Sequence, residues 1–156
     1  MRLCSSKRAR ALVGMMLGIG VLLPAVAAEV PTDPKAGVEA TLNKVNELFA
    51  KGGSAEEFAD ALYESDLTVT GEGEKALYPN LKSFMQPLAG YLTNPTCKLS
   101  LVNKVHSSGN LAVAWVQEHC DDHGTERAED YRIIYVFHRG AKGWRATMEM
   151  FVAGKF

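Results

Sequence analysis

The chain has 156 residues, with 17 Lys and Arg against 18 Asp and Glu, for a formal net charge of −1. That balance, with no basic stripe, argues against nucleic acid as a partner. An apolar fraction of 47% in a chain of this length supports one domain with a packed core.

Residues 1–28 read as a removable secretory signal. Arg2, Lys7, Arg8 and Arg10 form a basic start, and Ala11 to Leu23 is an apolar run. Pro24-Ala25-Val26-Ala27-Ala28 supplies small residues for cleavage after Ala28. The run is shorter than the roughly 20 residues that span a bilayer comfortably. Cleavage removes four positive and no negative charges, taking the net from −1 to −5, and leaves no other long apolar run. The expectation is a periplasmic or secreted protein with no membrane association after cleavage.

Residues 29–35 are expected to form a tether and residues 36–156 the domain. Asp33-Pro34 opens a helix, an acidic N-cap followed by proline at the first helical position. Val38, Leu42, Val45, Leu48 and Phe49 recur at helical spacing until Gly52-Gly53. Ser54-Ala55-Glu56-Glu57 is a capping box for a second helix facing the core with Phe58 and Leu62. Asp66 to Thr70 reads as a short strand and Gly71 to Glu74 as an exposed loop. After Tyr78-Pro79-Asn80 a third helix runs from Leu81 to Leu92, bent or restarted at Pro87, and Asn94-Pro95 ends it.

Everything beyond is strand-like. Cys97–His106 and Leu111–Cys120 form one hairpin, and Arg127–His138 and Trp144–Val152 a second, turning through residues 139–143. Cys4 leaves with the signal. Cys97 and Cys120 lie ten residues before Ser107 and ten after Asn110. A symmetric register pairs His106 with Leu111, Val105 with Ala112 and Cys97 with Cys120. In an oxidising compartment directly opposed cysteines favour a disulfide, two buried thiols being the alternative.

Helix, helix, strand, helix and four long strands make an α+β fold, a curved antiparallel sheet with three N-terminal helices on its concave face. Over residues 36–152 the chain resembles the nuclear-transport-factor-like superfamily, which includes ketosteroid isomerase, scytalone dehydratase and SnoaL-type cyclases. The resemblance is carried by the paired opening helices and by Leu77-Tyr78-Pro79-Asn80-Leu81. Gly109-Asn110-Leu111-Ala112-Val113-Ala114 and Gly143-Trp144-Arg145 carry the rest. It implies a cystatin-like cone with a pocket between helices and sheet, often dimeric through the outer sheet face.

A carboxyl, histidine or tyrosine at the bottom of an apolar pocket is suited to proton transfer. Asp66, at the start of the first strand, and His119 are the candidate catalytic groups, each with a competing reading as a surface residue. Tyr63, Phe84, Trp115, Gln117, Met148 and Met150 are the candidate pocket residues. Strict alternation puts Trp144, Ala146, Met148 and Met150 on one face of the last strand and Glu149 on the other. With the methionines inward, Glu149 lies outside and pairs with Arg145 or Arg132. His119, Asp121, Asp122 and His123 are the densest set of possible metal ligands, but they read as a solvated turn without zinc-type spacing. Hence no metal and no cofactor are expected.

Three functions remain open: a binder of a small apolar molecule, a cofactor-independent isomerase, dehydratase or cyclase, and a protein-interaction module. The fold does not choose among them.

Overall fold

The computed structural model describes residues 31–73, 77–92, 96–121 and 129–156. The expected signal segment, Glu74, Asn94-Pro95, the Asp122-His123 pair and the expected strand start at Arg127 lie outside these residues.

Helix α1 (Pro34–Lys51) opens as its sequence dictates, with Asp33 Oδ2 accepting the Ala36 N–H at 2.7 Å. It closes at Gly52, whose left-handed φ of 69° suits a residue without Cβ. Val38, Leu42, Val45 and Phe49 form its buried stripe. Helix α2 (Ala55–Leu62) carries the full capping box, Ser54 and Glu57 each accepting the other's backbone N–H. Helix α3 (Leu81–Tyr91) is capped by Asn80 and buries Phe84 and Leu88. Pro87 sits inside α3 without ending it. A proline forfeits one ladder bond there, and the helix continues around it.

The strands are β1 (Tyr63–Gly71), β2 (Thr96–Leu101), β3 (His106–Ser108), β4 (Leu111–Asp121), β5 (Glu129–Gly140) and β6 (Gly143–Ala153). The sheet order is β1-β6-β5-β4-β2, with β3 also on β4. The expected α+β cone is present, with helices packed on one face of an open sheet. The sheet is mixed rather than purely antiparallel, because β1 joins β6 in parallel. The strand after α2 is also longer than the sequence suggests and begins directly at Tyr63.

In the first hairpin Cys97 lies opposite Cys120 in the expected register, and the two are joined by a disulfide with S–S 2.04 Å. The tip differs: His106 pairs with Val113 and Ser108 with Leu111, a shift of two residues. The turn tightens to Gly109-Asn110, and residues 102–105 between β2 and β3 absorb the excess. At the sheet edge the Asn46 amide of α1 donates to Leu99 O at 2.9 Å and accepts Leu99 N–H at 2.7 Å. It thereby stands in for a missing strand partner on β2 and docks α1 against that edge.

The feature that positions the site is a bulge in β6. Ala146 pairs with Phe137, whereas Met148 pairs with Val136, so Thr147 is an extra residue. Before it, Trp144 and Ala146 point into the core, at 1% and 0% exposure. After it the parity reverses. Glu149 turns inward at 6% exposure, while Met148 and Met150 turn outward at 47% and 49%. A single inserted residue exchanges the faces of everything beyond it.

Candidate functional site

A cavity of about 310 Å³ lies between the three helices and the inner sheet face. Its walls are apolar: Val45 and Phe49 from α1, Leu62 from α2, Phe84 and Leu88 from α3, Ile133 from β5. Glu118, Glu149, Tyr63, Tyr91, Tyr131 and Tyr135 place polar atoms on it, and Glu72 stands exposed at its rim.

Each inner polar group arrives by strand parity or by helix phase. On β4 the buried series Ala112, Ala114, Val116, Glu118, Cys120 carries Glu118 inward. On β5 the series Ile133, Tyr135, Phe137 carries Tyr135, which sits directly opposite Glu149. Tyr63 enters from the first position of β1 and Tyr91 from the last turn of α3.

The Tyr63 hydroxyl donates to Glu149 Oε2 at 2.7 Å, and Tyr135 also hydrogen-bonds this carboxyl. Tyr91 hydrogen-bonds Glu118, and its hydroxyl lies 3.1 Å from Cys97 Sγ and 3.0 Å from Cys120 Sγ. Burial lifts the Glu149 carboxyl to about 7, against the opposing pull of the Tyr63 and Tyr135 hydrogen bonds. Burial lifts Glu118 to about 8, the neighbouring Glu149 adds to this, and the Tyr91 hydrogen bond opposes it. Burial likewise pushes Tyr63 and Tyr135 well above the usual phenol range. Among the described residues neither glutamate forms an ion pair. The site thus holds two carboxyls that exchange protons near neutral pH, each steadied by neutral hydroxyls.

Of the residues singled out in the sequence, Tyr63 and Phe84 line this cavity, edge to face with ring centroids 5.9 Å apart. The structure places the others elsewhere. Asp66 is exposed. His119 is on the outer face, its Nδ1 3.0 Å from Asp130 Oδ1 and its Nε2 3.4 Å from Asp121 Oδ1. Trp115 is 38% exposed on the same face, edge-on to Phe156. Gln117 ties down the C-terminus, donating to Tyr131 O at 3.0 Å and accepting Phe156 N–H at 3.1 Å. Met148 and Met150 are outside because of the Thr147 bulge. The expected partners of Glu149 are also occupied elsewhere: Arg145 donates to Ala59 O at 2.8 Å and Arg132 to Ala153 O at 3.1 Å.

Sequence reasoning passed over Glu118, although its signal was present. It shares a face with Val116 and Cys120, and a buried disulfide at Cys120 makes that face the inner one. Glu149 carried no such signal, since the bulge that turns it inward has no signature in Ala146-Thr147-Met148. Cys97, Glu118 and Cys120 also cluster closely, but sulfurs bonded to each other offer no thiolate to a metal.

Known structures share this architecture. A cystatin-like domain of unknown function from Nostoc punctiforme superposes with TM-score 0.65 at 14% identity, covering 81% of this chain and 80% of that one. The fold is that of the nuclear-transport-factor-like (NTF2-like) proteins. An NTF2-like protein of unknown function from Pseudomonas putida matches with TM-score 0.64 at 14% identity, over 82% and 92% of the two chains. A ketosteroid isomerase-like protein from Erwinia carotovora atroseptica matches with TM-score 0.63 at 13% identity, over 81% and 100%. No family model matches the sequence, and no curated protein matches it either. At such identities the likeness concerns the NTF2-like fold alone, and the reading of the site rests on its own residues.

Proposed function

We propose that this NTF2-like domain binds a small, mainly apolar molecule whose polar end meets Glu118, Glu149 and the tyrosines around them. The observation that carries this reading is a cavity of about 310 Å³ with largely apolar walls on which two interacting buried carboxyls are held by tyrosines, a form common among small-molecule sites. Saturation-transfer NMR with one-ring alcohols, ketones and amines tests it. Binding is expected in the native protein and weakened in Leu88→Trp, which fills the cavity. Tight, equal binding to both proteins, with Leu88→Trp folded by circular dichroism, would refute the site.

A second reading is supported by the two carboxyls near neutrality and by the isomerase-like neighbour in the same fold. Glu149, with Tyr63 and Tyr135 holding its geometry, takes a proton from carbon beside a carbonyl, and protonated Glu118 donates a hydrogen bond to the developing enolate oxygen. Returning the proton at a second carbon gives an isomer with no cofactor. A β,γ-unsaturated cyclohexenone is a probe small enough for the cavity. Its conversion to the conjugated ketone is expected to fall by about a hundredfold or more in Glu149→Gln.

Export and self-association complete the proposal. The disulfide lends support to an oxidising compartment. The outer sheet face carries two apolar rows across three strands, Val113-Val136-Met148 and Trp115-Ile134-Met150. A second copy of the chain is the partner proposed for them.

A further inference from the structure

We infer that the molecule taken by this cavity is a small hydrophobic cation, an amine carried on an apolar one-ring or two-ring body. The inference rests on the small-molecule reading above and names the class of ligand within it.

The charged groups on the cavity are all of one sign. Glu118 reaches it from β4, Glu149 from β6 and Glu72 from the loop after β1. No Lys, Arg or His is among the described residues that line it. The guanidinium of Arg145 is outside this lining; its Nη2 donates to Ala59 O and its Nη1 lies 3.7 Å from Asp60 Oδ1, while its buried Nε has no hydrogen-bond partner among the described residues. The other groups facing the two buried acids are phenols, Tyr63 from β1, Tyr91 from α3, and Tyr131 and Tyr135 from β5. A carboxylate ligand would add a third negative charge to a site already unable to ionise its own acids comfortably. A neutral ligand would leave both acids as they are.

An ammonium group changes the balance. It supplies one counter-charge that the described lining withholds, so a carboxyl of the pair ionises against it and the cost of burying that charge is offset by short ionic hydrogen bonds. The phenol and phenyl rings add their negative faces, which attract a desolvated cation. The remaining walls, Val45, Leu62, Leu88 and Ile133, take the apolar body. Binding therefore expels a proton from the Glu118–Glu149 pair, because both carboxyls hold theirs near neutral pH in the free protein.

The test is calorimetric titration of the folded protein at neutral pH with benzylamine, benzyl alcohol and benzoate, in two buffers of different ionisation heat. Benzylamine is expected to bind about tenfold or more tighter than benzyl alcohol, with net proton release, and benzoate is expected not to bind. The preference should grow with pH between about 5 and about 8, where the amine stays charged while the acids lose their protons. In Glu118→Gln/Glu149→Gln, with its fold checked by circular dichroism, benzylamine is expected to lose its advantage over benzyl alcohol. Equal affinities of alcohol and amine in the native protein, or an amine preference that survives the double substitution, would overturn the cation assignment and leave the pocket reading standing. Failure of all three probes would overturn both.

Discussion

The Tyr63 hydroxyl donates to Glu149 Oε2 at 2.7 Å across 86 residues of chain. Tyr63 is paired in the sheet with Ala146, just before the Thr147 bulge, and Glu149 lies just beyond it. Were Thr147 paired in regular register instead of bulged, Glu149 would face outward and Tyr63 would have lost its buried acceptor. In Tyr63→Phe the carboxylate loses a donor that favours its charged form. The Glu149 titration, followed by carboxyl-carbon NMR, should move upward from about 7. Stability at neutral pH should fall by about 1–3 kcal/mol. An unmoved titration would mean that this hydrogen bond does not tune the acid.

The two buried glutamates set a pH dependence of stability with a definite sign. Their folded values, about 7 and about 8, lie above the ordinary 4.5. Folding is favoured while they are protonated, so their contribution is full below about pH 4.5 and is lost as pH rises through about 7 and about 8. Asp60 and Asp130 are lowered and act in the opposite sense, under acid, but both are screened by solvent. Melting temperature should therefore fall between about pH 5 and about pH 9, and Glu118→Gln/Glu149→Gln should flatten the decline. A native profile as flat as that of the double variant would contradict the burial account.

Deleting Thr147 should leave the inner face as it is. Deletion closes the bulge, keeps Ala146 opposite Phe137 and Met148 opposite Val136, and so keeps Glu149 inward and Met148 outward by ordinary alternation. A cooperative thermal transition is expected to survive. Thr147→Val removes only the 3.3 Å hydrogen bond to Val136 O and keeps the bulge, so it should melt within a few degrees of the native protein. Loss of the transition on deletion would show that β6 needs the bulge itself and not only the register beyond it.

Opening the disulfide should loosen the hairpin and the site together. The bond closes a sequence separation of 23 residues, which chain entropy values at about 3 kcal/mol. Cys97→Ala/Cys120→Ala should melt on the order of 10 °C lower. Because Tyr91 packs its hydroxyl against both sulfurs and Glu118, ligand affinity should fall in the same variant. An unchanged melting curve would mean that the bridge contributes nothing to stability.

The outer face gives a prediction about assembly. Trp115→Arg with Met148→Glu places a charge at one end of each apolar row while leaving the inner face untouched. Analytical ultracentrifugation should report a dimer for the native protein and a monomer for the double variant. A native monomer at high concentration would remove the proposed partner.

Local signals in the sequence identified the elements well. Asp33-Pro34, the Ser54–Glu57 box and Asn80 each determine a helix start through backbone groups a few residues away, and alternation in 111–120 and 131–137 determines which side chains travel together. The cavity residues were less legible. Of the six read as pocket residues only Tyr63 and Phe84 line the cavity, while Glu118 was recoverable from its shared face with Cys120. Glu149 was not, because its orientation depends on how β6 registers against β5, and register is a property of two strands.

The sequence by itself determined the α+β order, the cysteine pairing register and the grouping of side chains by face in β4 and β5, since each depends on spacing along one segment. Only the tertiary structure decided which face is the inside, where β6 inserts Thr147, and that Glu118 and Glu149 share one cavity with four tyrosines and no cationic side chain among its described lining. Those outcomes arise from contacts between elements distant in sequence, where burial selects one register from several that local patterning allows equally.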